Sequence, residues 1–106
     1  MERIRVGALA EVPEGELRAF DTELGRIAVA RAGEALFAVS DECTHAGCSL
    51  SEGELDEERL EVECPCHGSV FDLETGEPVR GPAGDPLAVF PARVEAGWIE
   101  VGPPEG

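Results

Sequence analysis

The stretch Cys64-Pro65-Cys66-His67-Gly68-Ser69 places two thiols and an imidazole within four residues. An earlier stretch, Cys43-Thr44-His45-Ala46-Gly47-Cys48, carries the same residue types. Together these two hexapeptides hold all four cysteines and both histidines of the 106-residue chain. Thiolates and imidazoles are ligands for zinc and iron, whereas calcium and magnesium take oxygen ligands. The sequence therefore predicts a metal centre held by two loops, with the rest of the chain as scaffold.

The order of the candidate ligands bears on which metal is bound. Each half is mixed, Cys43-x-His45 in the first and Cys64-x-x-His67 in the second. Four such ligands could close a tetrahedral zinc site. They could also hold a [2Fe–2S] cluster, with both cysteines on one iron and both histidines on the other. Zinc modules usually pair like with like on one piece of chain, and mixed halves let each loop reach both irons. The pattern favours the cluster, and a structural zinc module stays as the non-redox alternative.

At this point the chain resembles the Rieske [2Fe–2S] family, and the resemblance covers its whole length. It is carried by residues 43–48 and 64–69, and then by Phe71-Asp72, Thr75-Gly76 and Gly81-Pro82-Ala83. The resemblance implies a single domain over residues 1–106, an antiparallel β-sandwich. It also implies a small cluster-binding subdomain at about residues 41–84.

The resemblance also implies the ligands. One [2Fe–2S] cluster per chain would be bound by Cys43 and Cys64 on the inner iron. His45 and His67 would bind the outer iron, with their second ring nitrogens at the surface where a redox partner docks.

Further roles follow from the same resemblance. Cys48 and Cys66 are expected to form a disulfide that ties the two loops together. Five positions are expected to tune the cluster. Gly47 and Gly68 would let backbone N–H groups approach the sulfides, and the hydroxyl of Ser69 would donate toward a sulfide. Phe71 stands where the high-potential branch of the family has a tyrosine. Pro82 lies in a loop that would cover the cluster. Keeping the serine without the tyrosine implies an intermediate potential.

The scaffold is predicted to be all-β, with about eight to ten short strands separated by Gly- and Pro-containing turns. The acidic stretch 51–63 is read as a solvated loop that leads into a strand with Leu60, Val62 and Cys64 on its inward face. Residues 26–31 are read as a half-buried strand, with Ile27 and Val29 on one face. The other predicted strands are 3–8, 17–20, 35–39, 70–72, 87–94 and 98–101.

The formal net charge is -15, from 23 acidic residues and 8 basic ones, all arginine. This balance disfavours nucleic acid and anionic membrane surfaces and favours a partner with a basic docking face. The sequence has no apolar run long enough for a membrane span and no signal-peptide pattern, so we expect a soluble, cytoplasmic protein.

The resemblance implies a one-electron carrier and not an enzyme. It would pass electrons from a reductase to an acceptor such as a ring-hydroxylating oxygenase. The alternative is an electron-transfer subunit of a respiratory-type or other multi-subunit redox complex.

Overall fold

The computed structural model describes residues 3–43, 48–66 and 68–103, and the prediction of an all-β fold is confirmed. Short 3₁₀ turns lie at Leu9–Glu11 and Leu50–Glu52. The strands of these ranges are β1 (Ile4–Ala8), β2 (Leu17–Thr22), β3 (Gly25–Ala32), β4 (Ala35–Ser40), β5 (Glu54–Asp56), β6 (Glu61–Glu63), β7 (Val70–Asp72), β8 (Pro78–Arg80), β9 (Val89–Phe90), β10 (Ala92–Glu95) and β11 (Trp98–Val101). In this part of the chain, no helix has the length and apolar character needed to cross a bilayer.

The strands form three antiparallel sheets. The terminal sheet has the order β1-β11-β10, the central sheet β2-β3-β4-β9, and the small sheet β5-β6-β7-β8. Ile4 of the first strand pairs with Val101 of the last, so the two ends of the described chain share one sheet. The small sheet contains the strands on either side of the second hexapeptide, β6 and β7.

Strand β3 is the middle layer of the protein, and the prediction of a half-buried strand was wrong. All four residues from Ile27 to Ala30 are buried. Ile27 and Val29 pack in a core shared with the terminal sheet. Ala28 and Ala30 pack in a second core, which contains Cys43 and Cys64. Small alanine side chains let the hexapeptide loops and the small sheet approach the central sheet closely, and alanine is a weak burial signal in a sequence.

The predicted strand 87–94 is two strands that belong to different sheets. Strand β9 pairs with β4 of the central sheet, and β10 pairs with β11 of the terminal sheet. The switch occurs at Pro91, which has no N–H group to continue a strand ladder. The following hairpin closes through Ala96 and Gly97, whose φ angles of 51° and 83° suit a tight turn of this kind.

The acidic stretch contains more strand than predicted. Strand β5 lies within it and pairs with β6. Leu60 is not part of β6, because its φ of 56° places it in the preceding turn. In that turn the carboxylate of Asp56 accepts hydrogen bonds from two backbone N–H groups, those of Glu58 and Arg59. Val62 and Cys64 are both buried, as the alternation predicted. Strand β8 was not predicted, and it completes the small sheet.

Candidate metal centre

The two hexapeptides close on themselves in the same way. The N–H of Cys43 donates to the carbonyl of Cys48 at 2.9 Å, and the N–H of Cys64 donates to the carbonyl of Ser69 at 2.7 Å. In each case the first residue bonds to the sixth. The second loop has a further bond of 3.2 Å from the N–H of Gly68 to the carbonyl of Cys64. Each loop therefore holds its first cysteine at its base, next to the core.

Cys43 and Cys64 are free thiols with 2% and 1% of their surface exposed, and both belong to the same buried cluster. A disulfide bond joins Cys48 to Cys66, the pair that the family resemblance implies, with their Cα atoms 6.4 Å apart. This bond ties the two loops together beside the buried thiols. The structure thus separates the four cysteines into two cross-linked residues and two that remain available as metal ligands.

The other predicted ligands, His45 and His67, lie outside the described residues, as does Gly47. Their roles stay predictions. Within residues 3–43, 48–66 and 68–103, no three Cys, His, Asp or Glu side chains come together as a metal site.

The first loop is anchored by a buried carboxylate that sequence reasoning missed. Asp41 is 1% exposed, and its Oδ1 accepts a 2.7 Å hydrogen bond from the N–H of Ser51. Its carbonyl accepts another, also of 2.7 Å, from the N–H of Leu50. Its Oδ2 makes no hydrogen bond and lies 3.3 Å from Nε of Arg26, an ion-pair distance. Asp41 therefore joins the chain before the first hexapeptide to the chain after it.

The second loop is attached to the proline loop through Ser69. This serine is fully buried, and its Oγ accepts a 3.0 Å hydrogen bond from the N–H of Ala83. Ala83 directly follows Pro82, which is exposed and is preceded by a cis peptide bond. Phe71 lies two residues beyond Ser69 and is fully buried in the same core as the free thiols. Three of the predicted tuning residues are therefore connected. Phe71 follows Ser69 along the chain, and the Ser69–Ala83 hydrogen bond joins Ser69 to the loop that contains Pro82.

A match to the Rieske [2Fe-2S] domain spans residues 2–91. The chain is 42% identical over 105 residues to the 3-phenylpropionate/cinnamic acid dioxygenase ferredoxin subunit of Shigella flexneri, covering 99% of this chain and 97% of that protein. Among solved structures, the ferredoxin of carbazole 1,9a-dioxygenase from Nocardioides aromaticivorans superposes with a TM-score of 0.91 and 34% identity, covering 97% of this chain and 99% of that one.

A further solved structure is a complex of reduced oxygenase and oxidized ferredoxin in carbazole 1,9a-dioxygenase. It matches with a TM-score of 0.87 and 36% identity over 98% of this chain and 96% of that one. The chain belongs to the Rieske [2Fe–2S] family, and its cofactor is a Rieske-type [2Fe–2S] cluster.

The described donors fit that group. A Rieske cluster needs two thiolates on one iron, and the structure provides two unpaired thiols in one apolar core, each at the base of its loop. Family membership sets aside the zinc alternative.

Proposed function

We propose that this protein is the ferredoxin component of a ring-hydroxylating oxygenase system. It accepts one electron from a reductase and delivers it to the oxygenase, and it catalyses no reaction itself. When bound, the cluster supplies a one-electron couple. The observation that carries the proposal is the pair of buried free thiols, Cys43 and Cys64, in two loops joined by a disulfide. The near-complete coverage of relatives named as dioxygenase ferredoxin subunits supports the acceptor class.

In this proposal Cys43 and Cys64 hold the inner iron, and His45 and His67 hold the outer one. Burial of the two thiols excludes water from the sulfur side, which matters because exposure and hydrogen bonding both set the potential. The residues that would carry the cluster lie within about 41–84, the range proposed for the cluster-binding subdomain.

The docking surface is proposed to be the face that carries His45 and His67. Near the second loop, a shallow groove contains three carboxylates, those of Glu52, Glu54 and Glu63, together with Cys64 and Pro65. An acidic rim beside the exit point of the electron suits a partner with basic residues around its own entry point, because opposite fields speed encounter. We place the protein in the cytoplasm as part of the same proposal, with oxygenase ferredoxins as the supporting relatives.

A second candidate function is an electron-transfer subunit of another multi-subunit redox complex. The observations that favour it are the Cys48–Cys66 disulfide and the buried Ser69, both of which belong to the high-potential pattern of the family. The two candidates predict different electron donors. The ferredoxin should be reduced by the reductase of an oxygenase system, whereas the alternative calls for a donor of higher potential.

One experiment tests both. The protein is purified anaerobically, its absorption spectrum and iron and sulfide contents are measured, and its reduction by such a reductase is followed optically. We expect two irons and two sulfides per chain and a spectrum that bleaches on reduction. Cys43→Ser and Cys64→Ser should abolish the cluster. A colourless protein that contains one zinc would contradict the proposal. A cluster that a weak reductant such as a quinol already reduces would favour the second candidate, because a cluster of high potential accepts electrons more readily.

A further inference from the structure

We infer that Arg80 is a positioning residue of the second hexapeptide loop. It holds the carbonyl of Gly68 and thereby orients the peptide group that joins Gly68 to Ser69. The inference rests on the proposed function only in that this loop is taken to hold the cluster. No sequence motif pointed to Arg80, because its effect depends on strand β8, which was itself not predicted.

The contact is a fork of two nitrogens on one oxygen. Nε of Arg80 lies 3.3 Å from the carbonyl oxygen of Gly68, and Nη2 lies 3.2 Å from it. Nη2 is also 3.5 Å from Oε2 of Glu63. Arg80 is paired with Val70 in the sheet, next to the second hexapeptide. Its guanidinium contacts Glu63, the residue before Cys64, and Gly68, the residue before Ser69.

The peptide group between Gly68 and Ser69 needs a contact that fixes its orientation. Gly68 has a φ of +75°, a conformation that glycine enters freely, and a glycine does not by itself fix the orientation of the next peptide plane. In a trans peptide the C=O and N–H groups point in opposite directions. Because the carbonyl of Gly68 accepts from the exposed guanidinium, the N–H of Ser69 points away from that guanidinium.

Both oxygen atoms of Ser69 already accept hydrogen bonds. Its carbonyl accepts the N–H of Cys64, and its hydroxyl oxygen accepts the N–H of Ala83. Arg80 adds the missing restraint on the N-terminal side of this residue. A backbone N–H that this loop holds in a fixed orientation is the kind of donor that can favour the reduced, more negative form of an iron–sulfur cluster.

The fork and the charge make different contributions. Arg80 is 62% exposed, so salt and water weaken its Coulomb effect on anything beyond its contacts. The planar guanidinium with its fixed donors is what a lysine cannot reproduce. We therefore assign the greater part of its role to geometry, which a charge-conserving substitution can test.

The test uses cluster-loaded protein and three variants, Arg80→Gln, Arg80→Lys and Arg93→Gln. Arg93 is a matched control, because it is an exposed arginine paired with a glutamate, Glu100, in the terminal sheet. Hydrogen–deuterium exchange is followed by mass spectrometry in the peptide that contains Ser69, and the midpoint potential is measured by voltammetry. Both Arg80 variants should raise the exchange rate roughly tenfold, as expected for a lost charge-assisted hydrogen bond.

Both Arg80 variants should also lower the reduction equilibrium constant by up to about tenfold, which is 59 mV for one electron. Arg93→Gln should change neither quantity. An Arg80→Lys protein that behaves like the wild type while Arg80→Gln does not would mean that charge acts without the fork, and would overturn the inference. So would an Arg80→Gln protein that matches the wild type.

If Arg80→Gln does not load a cluster, a further variant still tests the inference. Glu63→Gln removes the ion pair and leaves both nitrogens free to bind the Gly68 carbonyl. Its exchange rate should stay within about twofold of the wild type. If Glu63→Gln loosens the loop tenfold, the ion pair orients it and the inference is wrong. Failure of the proposed function would instead appear in the wild-type spectrum and in its reduction by the reductase, which these exchange measurements do not use.

Discussion

Ser69 and Ala83 are joined by a 3.0 Å hydrogen bond between a buried hydroxyl oxygen and a buried backbone N–H. The bond connects the second hexapeptide to the proline loop, fourteen residues further along the chain. Because the oxygen is occupied as an acceptor from that side, the hydroxyl proton is left to donate elsewhere. This arrangement suits the role expected of Ser69, that of a donor to the cluster.

Ser69→Ala should therefore have two effects. It leaves the N–H of Ala83 buried without its partner, at a cost of about 1–3 kcal/mol in the free energy of unfolding. Thermal denaturation followed by circular dichroism should show a midpoint lowered by roughly 4–8 °C for each kcal/mol. The reduction potential should fall as well, because a donor that favours the reduced cluster is lost.

Ser40→Ala is the matched control for this change. The hydroxyl oxygen of Ser40 accepts a long, 3.4 Å hydrogen bond from the N–H of Glu42 at the surface. Its loss should cost less than about 0.5 kcal/mol and leave the potential unchanged. A Ser69→Ala protein that keeps the wild-type potential would show that the hydroxyl serves the proline loop only.

Phe71→Tyr tests the expectation of an intermediate potential. Phe71 is fully buried in the core that contains both free thiols. If the new hydroxyl donates to a ligand thiolate, it stabilises the reduced cluster, and the midpoint potential measured by cyclic voltammetry should rise. Phe90→Tyr adds the same group to the other core, next to Ile99 and Val101, and should leave the potential where it is.

The stability of Phe71→Tyr shows whether the new hydroxyl has found a hydrogen-bond partner. A hydroxyl that finds the thiolate should cost little. A hydroxyl that is buried without a partner should lower the free energy of unfolding by about 1–3 kcal/mol. An unchanged potential together with this loss would count against a thiolate within reach of position 71.

Several parts of the fold could be predicted from the local sequence, and others could not be predicted in this way. Glycine-containing turns separate strands as the sequence predicted, for example at Gly76 and at Ala96-Gly97, because a positive φ favours glycine. The family resemblance implied a Cys48–Cys66 disulfide, which the structure contains. The turns depend on residues close together in the chain, whereas the cysteine pairing was expected only from the resemblance to a known family.

The features that were missed depend on contacts between distant residues. Burial of β3 on both faces requires a second sheet on its alanine side, which no local pattern reports. Strand β8 begins with Pro78 and is mostly exposed, so it lacks the usual strand composition. The roles of Asp41 and Arg80 lie in hydrogen bonds to backbone groups ten and twelve residues away. A sequence identifies such residues only as ordinary charges.

Arg26→Gln should destabilise the protein more than a typical loss of a surface arginine. Its partner Asp41 is buried, with Oδ2 next to Nε of Arg26 and without a hydrogen bond of its own. Removal of the cation leaves a buried carboxylate without its counter-charge. Because Arg26 itself is 56% exposed, we expect a loss of about 1–3 kcal/mol, below the value for a fully buried pair.

Arg18→Gln is the matched control for Arg26→Gln. Arg18 pairs with Glu16 at 2.7 Å, and both side chains are about half exposed, at 44% and 50%. Such a pair contributes roughly 0–1 kcal/mol. Guanidinium chloride denaturation of the two variants should separate them clearly. Equal midpoints would mean that water, and not Arg26, compensates the buried carboxylate of Asp41.

The Cys48–Cys66 disulfide should contribute to stability mainly by restricting the unfolded chain. The cross-linked cysteines are 18 residues apart, and a loop of this size corresponds to about 3 kcal/mol in the chain-entropy model. The double variant Cys48→Ser/Cys66→Ser should therefore unfold at lower guanidinium chloride concentration than the oxidised wild type. The same variant should keep both free thiols of the core, Cys43 and Cys64, which are the proposed ligands.

Two controls make the disulfide prediction specific. In the presence of a reductant, the wild type and the double variant should unfold at the same denaturant concentration, because both then lack the cross-link. Mass spectrometry after alkylation without reductant should find Cys48 and Cys66 unmodified in protein purified directly from cells. Alkylation of both would show that a reducing compartment keeps them as thiols. In that case the bond could not supply the stability assigned to it, and the loops would be held by their hydrogen bonds and the bound cluster.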